Sequence, residues 1–290
     1  MIGHIVKSLA GFFYVKGNAD IVRCRARGKF KADSLSPVVG DRVEYSVLND
    51  GSGIIDKILP RKNCFIRPAV SNVDIFVFIA SDSLPVTDPF LIDRVSVIAS
   101  FNNCGFVLCI NKEDIPHDDR LICIYKDVGF DVIKTSAVSF EGIPALREIL
   151  HGKTCVFTGN SGIGKSSLIN CLFPDAEAET ADISYKLNRG KHTTRAVQSY
   201  DLGNDTIIID TPGFSSFDVS QISSIVPDEL AACFIDFHDY IGGCRFNDCV
   251  HINEPGCAVL EARDNGKIQS TRHESYCRLY DMLKSNVKSY

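Results

Sequence analysis

The sequence has no apolar run near the roughly 18 residues that a membrane-spanning helix needs, and its best, Ile75–Ala80, has the length of a buried strand. An early apolar stretch, Leu9–Val15, follows Lys7 but precedes no small-residue cleavage site, so no signal peptide is expected. Cysteine is too sparse for a disulfide scaffold, 12 in 290 residues, and thiols are expected as core groups or metal ligands in a reducing cytoplasm. There is no internal repeat and no low-complexity segment. With 45% apolar and 23% charged residues the chain is ordinary globular material, long enough for two or three domains. An excess of positive charge is missing too. The net charge is −5, which taken alone disfavours a nucleic-acid partner. Its distribution changes that reading: residues 1–65 carry +5, residues 66–220 carry −7 and residues 221–290 carry −3.

The basic first segment reads as short strands around Phe12–Val15, Asp20–Arg27, Arg42–Val47 and Gly53–Ile58, with a hairpin turn at 49–53. Several short strands in 65 residues predict a small OB-like β-barrel. From about Val73 the pattern becomes βα alternation. Strands are expected at Asp74–Ala80, Phe106–Ile110, Asp131–Lys134, Thr154–Thr158 and Thr206–Ile209. Helices are expected at Asp88–Ser100, Gly142–Leu150 and Lys165–Phe173. This is the signature of a parallel sheet covered by helices. After about Asp218 the strands stop, and Pro227–Tyr240 and Ala258–Lys288 read as helical around a Cys/His-rich loop. The expected architecture is multidomain α/β, with modules at 1–65, 66–220 and 221–290.

Gly159-Asn160-Ser161-Gly162-Ile163-Gly164-Lys165-Ser166 fits the phosphate-loop pattern and lies between an expected strand and an expected helix. Glycines let the loop's N–H groups wrap a phosphate. Lys165 would reach the β- and γ-phosphates, Ser166 would offer its hydroxyl to Mg²⁺, and Ser167 continues the site. Asp210-Thr211-Pro212-Gly213 follows a strand in the same sheet. Asp210 would hold Mg²⁺ through water, and the Gly213 N–H could meet the γ-phosphate.

Asn111-Lys112-Glu113-Asp114 closes the strand Phe106–Ile110. The Asp114 carboxylate can accept from N1–H and N2–H₂ of guanine, donors that adenine lacks. Asn111 would contact the other edge, and the Lys112 stem could cover the ring. Ser136-Ala137 matches the turn whose backbone N–H meets the guanine O6. A site built for those bonds discriminates by roughly 10⁴-fold, so the nucleotide is read as GTP. The base-reading pair precedes the phosphate loop, the reverse of the usual GTPase order. Circular permutation reconciles this, because every motif still ends a parallel strand.

Between these motifs, 174–195 reads as a first switch loop, with Thr193 or Thr194 as the Mg²⁺-coordinating hydroxyl. Cys244, Cys249, His251 and Cys257 form a Cys-x₄-Cys-x-His-x₅-Cys set of three thiols and an imidazole, suited to one closed structural zinc site. Unligated buried cysteines are the alternative. Arg23, Arg25, Arg27, Lys29 and Lys31 occupy alternate positions, so a strand would project five charges from one face. That stripe suits RNA phosphates, a solvated face being the bland alternative.

Together these motifs resemble the ribosome small-subunit-dependent GTPase A family (RsgA). Its specific elements here are the motif order, Gly-Lys-His-Thr-Thr at 190–194 where the family usually has Arg for Lys, Asp-Thr-Pro-Gly-Phe at 210–214, and His251 with Glu254-Pro255-Gly256-Cys257. The resemblance covers essentially the whole chain. It implies a cytoplasmic, three-module GTPase that needs Mg²⁺ and one structural Zn²⁺. It also implies binding to the small ribosomal subunit and its 16S rRNA late in maturation, with subunit-stimulated hydrolysis driving release. Monomer is the default expectation, and no membrane contact is expected. Phe214 stands where many GTPases carry the glutamine that orients the attacking water, so another group must do that work. His192 is nominated, an exposed loop histidine with no catalytic part being the alternative. An RNA-binding assembly factor with incidental turnover, or a GTPase serving another RNA, are the competing readings of function.

Overall fold

A computed structural model describes residues 1–17, 20–28, 30, 36–66, 68–173, 197–211, 222 and 224–287. The chain begins with strands β1 (Ile2–Leu9), β2 (Phe12–Lys16), β3 (Ile21–Ala26), β4 (Arg42–Val47) and β5 (Gly53–Ile58), then the short β6 (Cys64–Ile66) and β7 (Ala69–Ser71). It continues through β8 (Ile75–Ala80), α1 (Pro89–Phe101), β9 (Gly105–Asn111), α2 (Arg120–Tyr125), β10 (Asp131–Thr135) and α3 (Ile143–Leu150). Then come β11 (Thr154–Gly159), α4 (Lys165–Cys171), β12 (Gln198–Gly203) and β13 (Thr206–Asp210), and finally α5 (Ala258–Asp264) and α6 (Ser270–Val287). These elements gather into two compact units, one from Met1–Asp74, Arg147–Thr158 and Ser166–Phe214, the other from Ile75–Leu146, Gly159–Lys165 and Ser215–Tyr290.

In the first unit, β1-β2-β3-β5-β4 closes into a five-stranded barrel through the β1–β4 pairing. β3 and β5 run parallel and the other neighbours antiparallel, as the expected OB-like barrel requires. Alternation along each strand sends Ile5, Val15, Cys24, Val43, Tyr45 and Ile55 inward to the core. Arg61 closes one end: its guanidinium donates to both carboxylate oxygens of the fully buried Asp41, at 2.7 Å each. A second group of strands in this unit has β11 parallel to β13, with β12 antiparallel to both β13 and β1. β1 and β12 are strands that the hydrophobic pattern does not show, since Gly3 and His4 interrupt one and Gln198, Ser199 and Asp201 make the other polar.

In the second unit, β10-β9-β8 is a parallel sheet, and β8 is buried along its whole length. That explains its unbroken apolar sequence. α1 starts with Asp88 as N-cap, accepting from the Phe90 N–H at 3.0 Å, and with Pro89 in its first turn. The segment Pro227–Tyr240 is not the expected helix. It is a chain of 3-10 turns at Pro227–Glu229, Ala231–Cys233 and Ile235–Phe237, because Phe234 takes an extended conformation. This lets both Phe234 and Phe237 reach the Tyr276 ring, at 5.4 and 5.1 Å. The expected helical segment from Ala258 is helical, as α5 and α6. Gly266, at φ +70°, ends α5, its N–H donating to the Arg263 carbonyl and that of Lys267 to Ala262.

α6 is fastened to α1 by a buried ion pair. Arg272, 1% exposed, donates to Asp93 at 2.7 Å and to Asp236 at 2.6 Å, and the Tyr125 hydroxyl donates to the same Asp93 oxygen. Burial alone would push the Arg272 guanidinium down, but the two carboxylates outweigh it and raise it above its ordinary value. Removing one partner of such a pair typically costs about 3–5 kcal/mol, because the other charge is left buried alone.

Candidate nucleotide, metal and RNA sites

The base-reading motif and the phosphate loop meet inside the second unit. β9 ends on Asn111, 3% exposed, whose Nδ2 donates to the Ile163 carbonyl at 2.8 Å. Its Oδ1 accepts from the Thr135 hydroxyl at 3.3 Å, which fixes which way the amide points. Asn111 thus braces the phosphate loop, a contact that its motif position alone does not reveal. Ile163 is fully buried and anchors the loop, while Ser161 and Gly162 stay exposed.

Two glycines of the loop are there for space as well as conformation. Gly159 has φ +146°, and a Cβ there would lie 2.3 Å from the Ile79 carbonyl oxygen. Gly164 has φ +90°, and a Cβ would lie 2.5 Å from the Asn111 Nδ2. Gly164→Ala therefore combines about 1–3 kcal/mol of backbone strain with displacement of the bracing amide. Guanine-nucleotide affinity is expected to fall about 10- to 100-fold, read by titration of a fluorescent GDP analogue; unchanged affinity would show that the loop tolerates both.

The remaining base-site residues are also held by specific partners. Lys112 sits at φ +73° and its Nζ donates to the Leu84 carbonyl at 2.7 Å. Glu113 lies 3.1 Å from both Lys134 Nζ and His117 Nε2. The Ile115 carbonyl, then the Glu113 carboxylate, raise His117 above its ordinary value. Asp114 is exposed and accepts from the Ser136 hydroxyl at 2.6 Å, while Ser136 Oγ accepts from the Val138 and Ser139 N–H groups. The turn at Ser136-Ala137 is therefore tied directly to the carboxylate. Thr135, Lys134, His117 and Leu84 carry no motif and were not legible as site residues.

In the first unit β13 delivers Asp210 in register with Phe157 of β11, and the Thr211 hydroxyl donates to the Phe157 carbonyl at 3.0 Å. Lys165 opens α4, and Ser166 and Ser167 lie exposed in its first turn. Gly213, Phe214, His192, Thr193 and Thr194 lie outside the described residues, as does the rest of the segment 174–195.

The four expected zinc donors come together. His251 Nδ1 lies 3.4 Å from Cys244 Sγ, 3.5 Å from Cys249 Sγ and 3.4 Å from Cys257 Sγ, and the Cys244 and Cys257 sulfurs are 3.9 Å apart. With Zn–S of about 2.3 Å and Zn–N of about 2.0 Å, a tetrahedron has edges of about 3.5 Å (S to N) and about 3.8 Å (S to S). The cluster fits that ion. Burial pushes the Cys249 thiol up to about 12, so it resists ionising without a cation beside it, and burial lowers His251, which favours the neutral imidazole that ligates a metal. Hydrogen bonds also tie the surrounding loop. Glu254 accepts from the Val250, Ile252 and Asn253 N–H groups, Tyr276 donates to the Val250 carbonyl, and His273 Nε2 donates to the His251 carbonyl.

Of the basic stripe, β3, which ends at Ala26, carries Arg23 and Arg25 in alternation and leaves Arg27 just beyond it. Arg27 is instead paired with Asp56 at 2.8 Å, and Lys29 and Lys31 lie outside the described residues. Arg23 and Arg25 are exposed and lie over the Phe12 ring, 4.6 and 4.8 Å from its centroid. Lys7 stands 5.9 Å from the Tyr14 ring on the neighbouring pair of strands.

Comparison with known proteins decides the family. The RsgA GTPase profile matches residues 58–220 and the RsgA N-terminal domain profile residues 2–55. The chain belongs to the RsgA GTPase family. It is 41% identical over 289 residues to the small ribosomal subunit biogenesis GTPase RsgA of Caldanaerobacter subterraneus subsp. tengcongensis, covering 99% of this chain and 97% of that one. Against the RsgA of Alkaliphilus metalliredigens it is 39% identical, with 98% of each covered. The crystal structure of YjeQ from Thermotoga maritima superposes with a TM-score of 0.80 at 34% identity, covering 97% of this chain and 98% of that one. YloQ, described as a circularly permuted GTPase, gives 0.78 at 31%, covering 98% and 95%. The chain is thus a permuted GTP hydrolase of the RsgA family, and Mg²⁺ accompanies GTP in that chemistry. No helix among the described residues is long and apolar enough to cross a membrane.

Proposed function

We propose that this GTPase acts on the small ribosomal subunit late in its maturation, binding in the GTP state and leaving after hydrolysis. The observation that carries the nucleotide half of this reading is the Asn111–Ile163 hydrogen bond, which ties the guanine motif to the phosphate loop. The ribosomal half rests on full-length similarity to relatives named for small-subunit biogenesis. Three functional modules are proposed, at 1–65, 66–220 and 221–290. Arg23, Arg25 and the Phe12 ring offer the barrel's RNA surface, combining charge with a stacking platform.

In the proposed site Asn111 to Asp114 with Ser136 and Ala137 select guanine, and Gly159 to Ser167 with Gly213 hold the phosphates. Ser166, Asp210 and Thr193 or Thr194 would hold Mg²⁺, directly or through water. When bound, Mg²⁺ neutralises charge developing on the β- and γ-oxygens. Lys165 adds a fixed positive charge at the same oxygens. Cys244, Cys249, His251 and Cys257 would hold a structural Zn²⁺, with every position filled by protein.

Co-sedimentation with small subunits in GDP and in a non-hydrolysable GTP analogue tests the release switch: tighter binding with the analogue is expected, and nucleotide-independent binding would refute it. Multiple-turnover GTPase assays with and without subunits test stimulation, and its absence would favour an assembly factor with incidental turnover. Because Phe214 cannot orient water, His192→Ala is expected to lower subunit-stimulated turnover by about 10²-fold or more, the range of general-base and positioning groups. Unchanged stimulated turnover would remove His192 from the mechanism.

A further inference from the structure

The seam between α1 and α6 carries a second basic feature, far in sequence from the barrel stripe. On α1, Phe90 and Arg94 are four residues apart and share a face. Arg278 of α6 lays its guanidinium over the Phe90 ring, 3.7 Å from the centroid. That position is informative because α6 offers Arg278 two exposed carboxylates at helical spacing, Glu274 one turn before it and Asp281 three residues after. Arg278 pairs with neither, and no ion pair to it exists among the described residues. Arg94 has no ion pair among the described residues either: its buried Nε has no acceptor there, and the charge that acts on it is that of Arg278. Burial and that neighbouring cation both push Arg94 down from its ordinary value. The adjacent Asp93 is about 100° away around the helix, where its Oδ1 accepts from Arg272 and Tyr125.

Two guanidiniums thus lie about the Phe90 ring, Arg278 over it and Arg94 one helical turn away on the same face of α1, and neither has an ion pair among the described residues. Such a fork matches the geometry and charge of a phosphate. We infer that Arg94 and Arg278 form a phosphate-binding fork that takes a backbone phosphate of RNA. The inference rests on the ribosomal reading above for the source of that phosphate. An isolated phosphate ion at a half-open pair of arginines has only this contact to hold it. A phosphodiester of a polymer already bound elsewhere is presented at high effective concentration.

The test uses the full-length protein with a non-hydrolysable GTP analogue and purified small ribosomal subunits, with affinity measured across a range of potassium chloride. Arg278→Gln and Arg94→Gln should each flatten the slope of log affinity against log salt by about 0.7–0.9, the effect of one lost phosphate contact. Arg278→Lys, which keeps the charge, should retain the wild-type slope. Thermal midpoints and basal GTP turnover of the variants, expected to match wild type for the exposed Arg278, separate lost contact from lost fold. Wild-type slopes in both glutamine variants would overturn the fork. If the variants instead lose only the stabilisation given by inorganic phosphate, with slopes unchanged, the site binds small anions and the RNA assignment is wrong. Failure of the wild type to bind subunits would overturn the ribosomal reading and this ligand with it, whereas binding with unchanged slopes overturns the fork alone.

Discussion

Asp114→Asn is expected to reduce kcat/KM for GTP by about three to four orders of magnitude and to transfer activity to XTP. A carboxylate at this position accepts from both N1–H and N2–H₂ of guanine. An amide there accepts one of those bonds and turns a donor toward the other, so a buried guanine group is left facing a donor, which is how hydrogen-bonding sites reach roughly 10⁴-fold discrimination. Xanthine replaces the amino group by a carbonyl and restores the match. The structure makes the exchange a clean one, because Asp114 is exposed and its anchor, the Ser136 hydroxyl at 2.6 Å, can donate to an amide oxygen as well. Neither the Asn111–Ile163 brace nor the loop glycines depends on its charge. Steady-state kinetics with both nucleotides check this. Equal loss with GTP and XTP in a folded variant would show that Asp114 does not read the base.

Removal of zinc, by a chelator or by Cys257→Ser, is expected to unfold the C-terminal part of the second unit rather than loosen it. Structural zinc sites contribute on the order of 10 kcal/mol, comparable to the whole stability of a domain. Little else could replace that contribution here. The segment from Ile241 to Cys257 has only a short 3-10 turn, and Gly256 must pack with Arg245 Cβ 3.0 Å from where its own Cβ would be. The loop is joined to α6 through the bonds of Tyr276 to Val250 and of His273 to the His251 carbonyl. Arg272, next to His273, joins α6 to α1. Hydrogen exchange over residues 244–287 should therefore rise by orders of magnitude on chelation, with one equivalent of zinc released in the metal assay. Unchanged exchange together with no released metal would make the four residues a set of buried thiols and a histidine.

Much of the site was legible because its motifs are contiguous. A phosphate loop, Asn-Lys-Glu-Asp or Cys-x₄-Cys-x-His-x₅-Cys places its groups by local backbone geometry, so spacing alone brings them together. The motif order likewise made permutation readable, and YloQ, a permuted GTPase, superposes over 98% of this chain. The barrel was readable as a class, although β1 was hidden by Gly3 and His4 at positions where a strand normally shows its apolar face. The 3-10 turns at 227–237 were misread as a helix because apolar spacing reports burial, whereas the extended Phe234 is decided by where Tyr276 stands.

What only the tertiary structure decided are the partners. Asn111 braces Ile163 across 52 positions and Arg272 meets Asp93 across 179. The motif marks Asn111 for the base and not as a brace, and nothing in the local sequence sets Arg272 or Asp93 apart from its neighbours. Arg27 looked like part of a free basic stripe until Asp56 of β5 was placed beside it, and Arg278 lies over Phe90 rather than paired with Glu274 or Asp281 on its own helix. The sequence by itself determined the chemistry available: a guanine reader, a phosphate loop and a four-donor metal set. Which charges are neutralised and which remain to meet a ligand was decided by packing, because a charge's fate depends on the few ångströms around it and those are filled by residues remote in the chain.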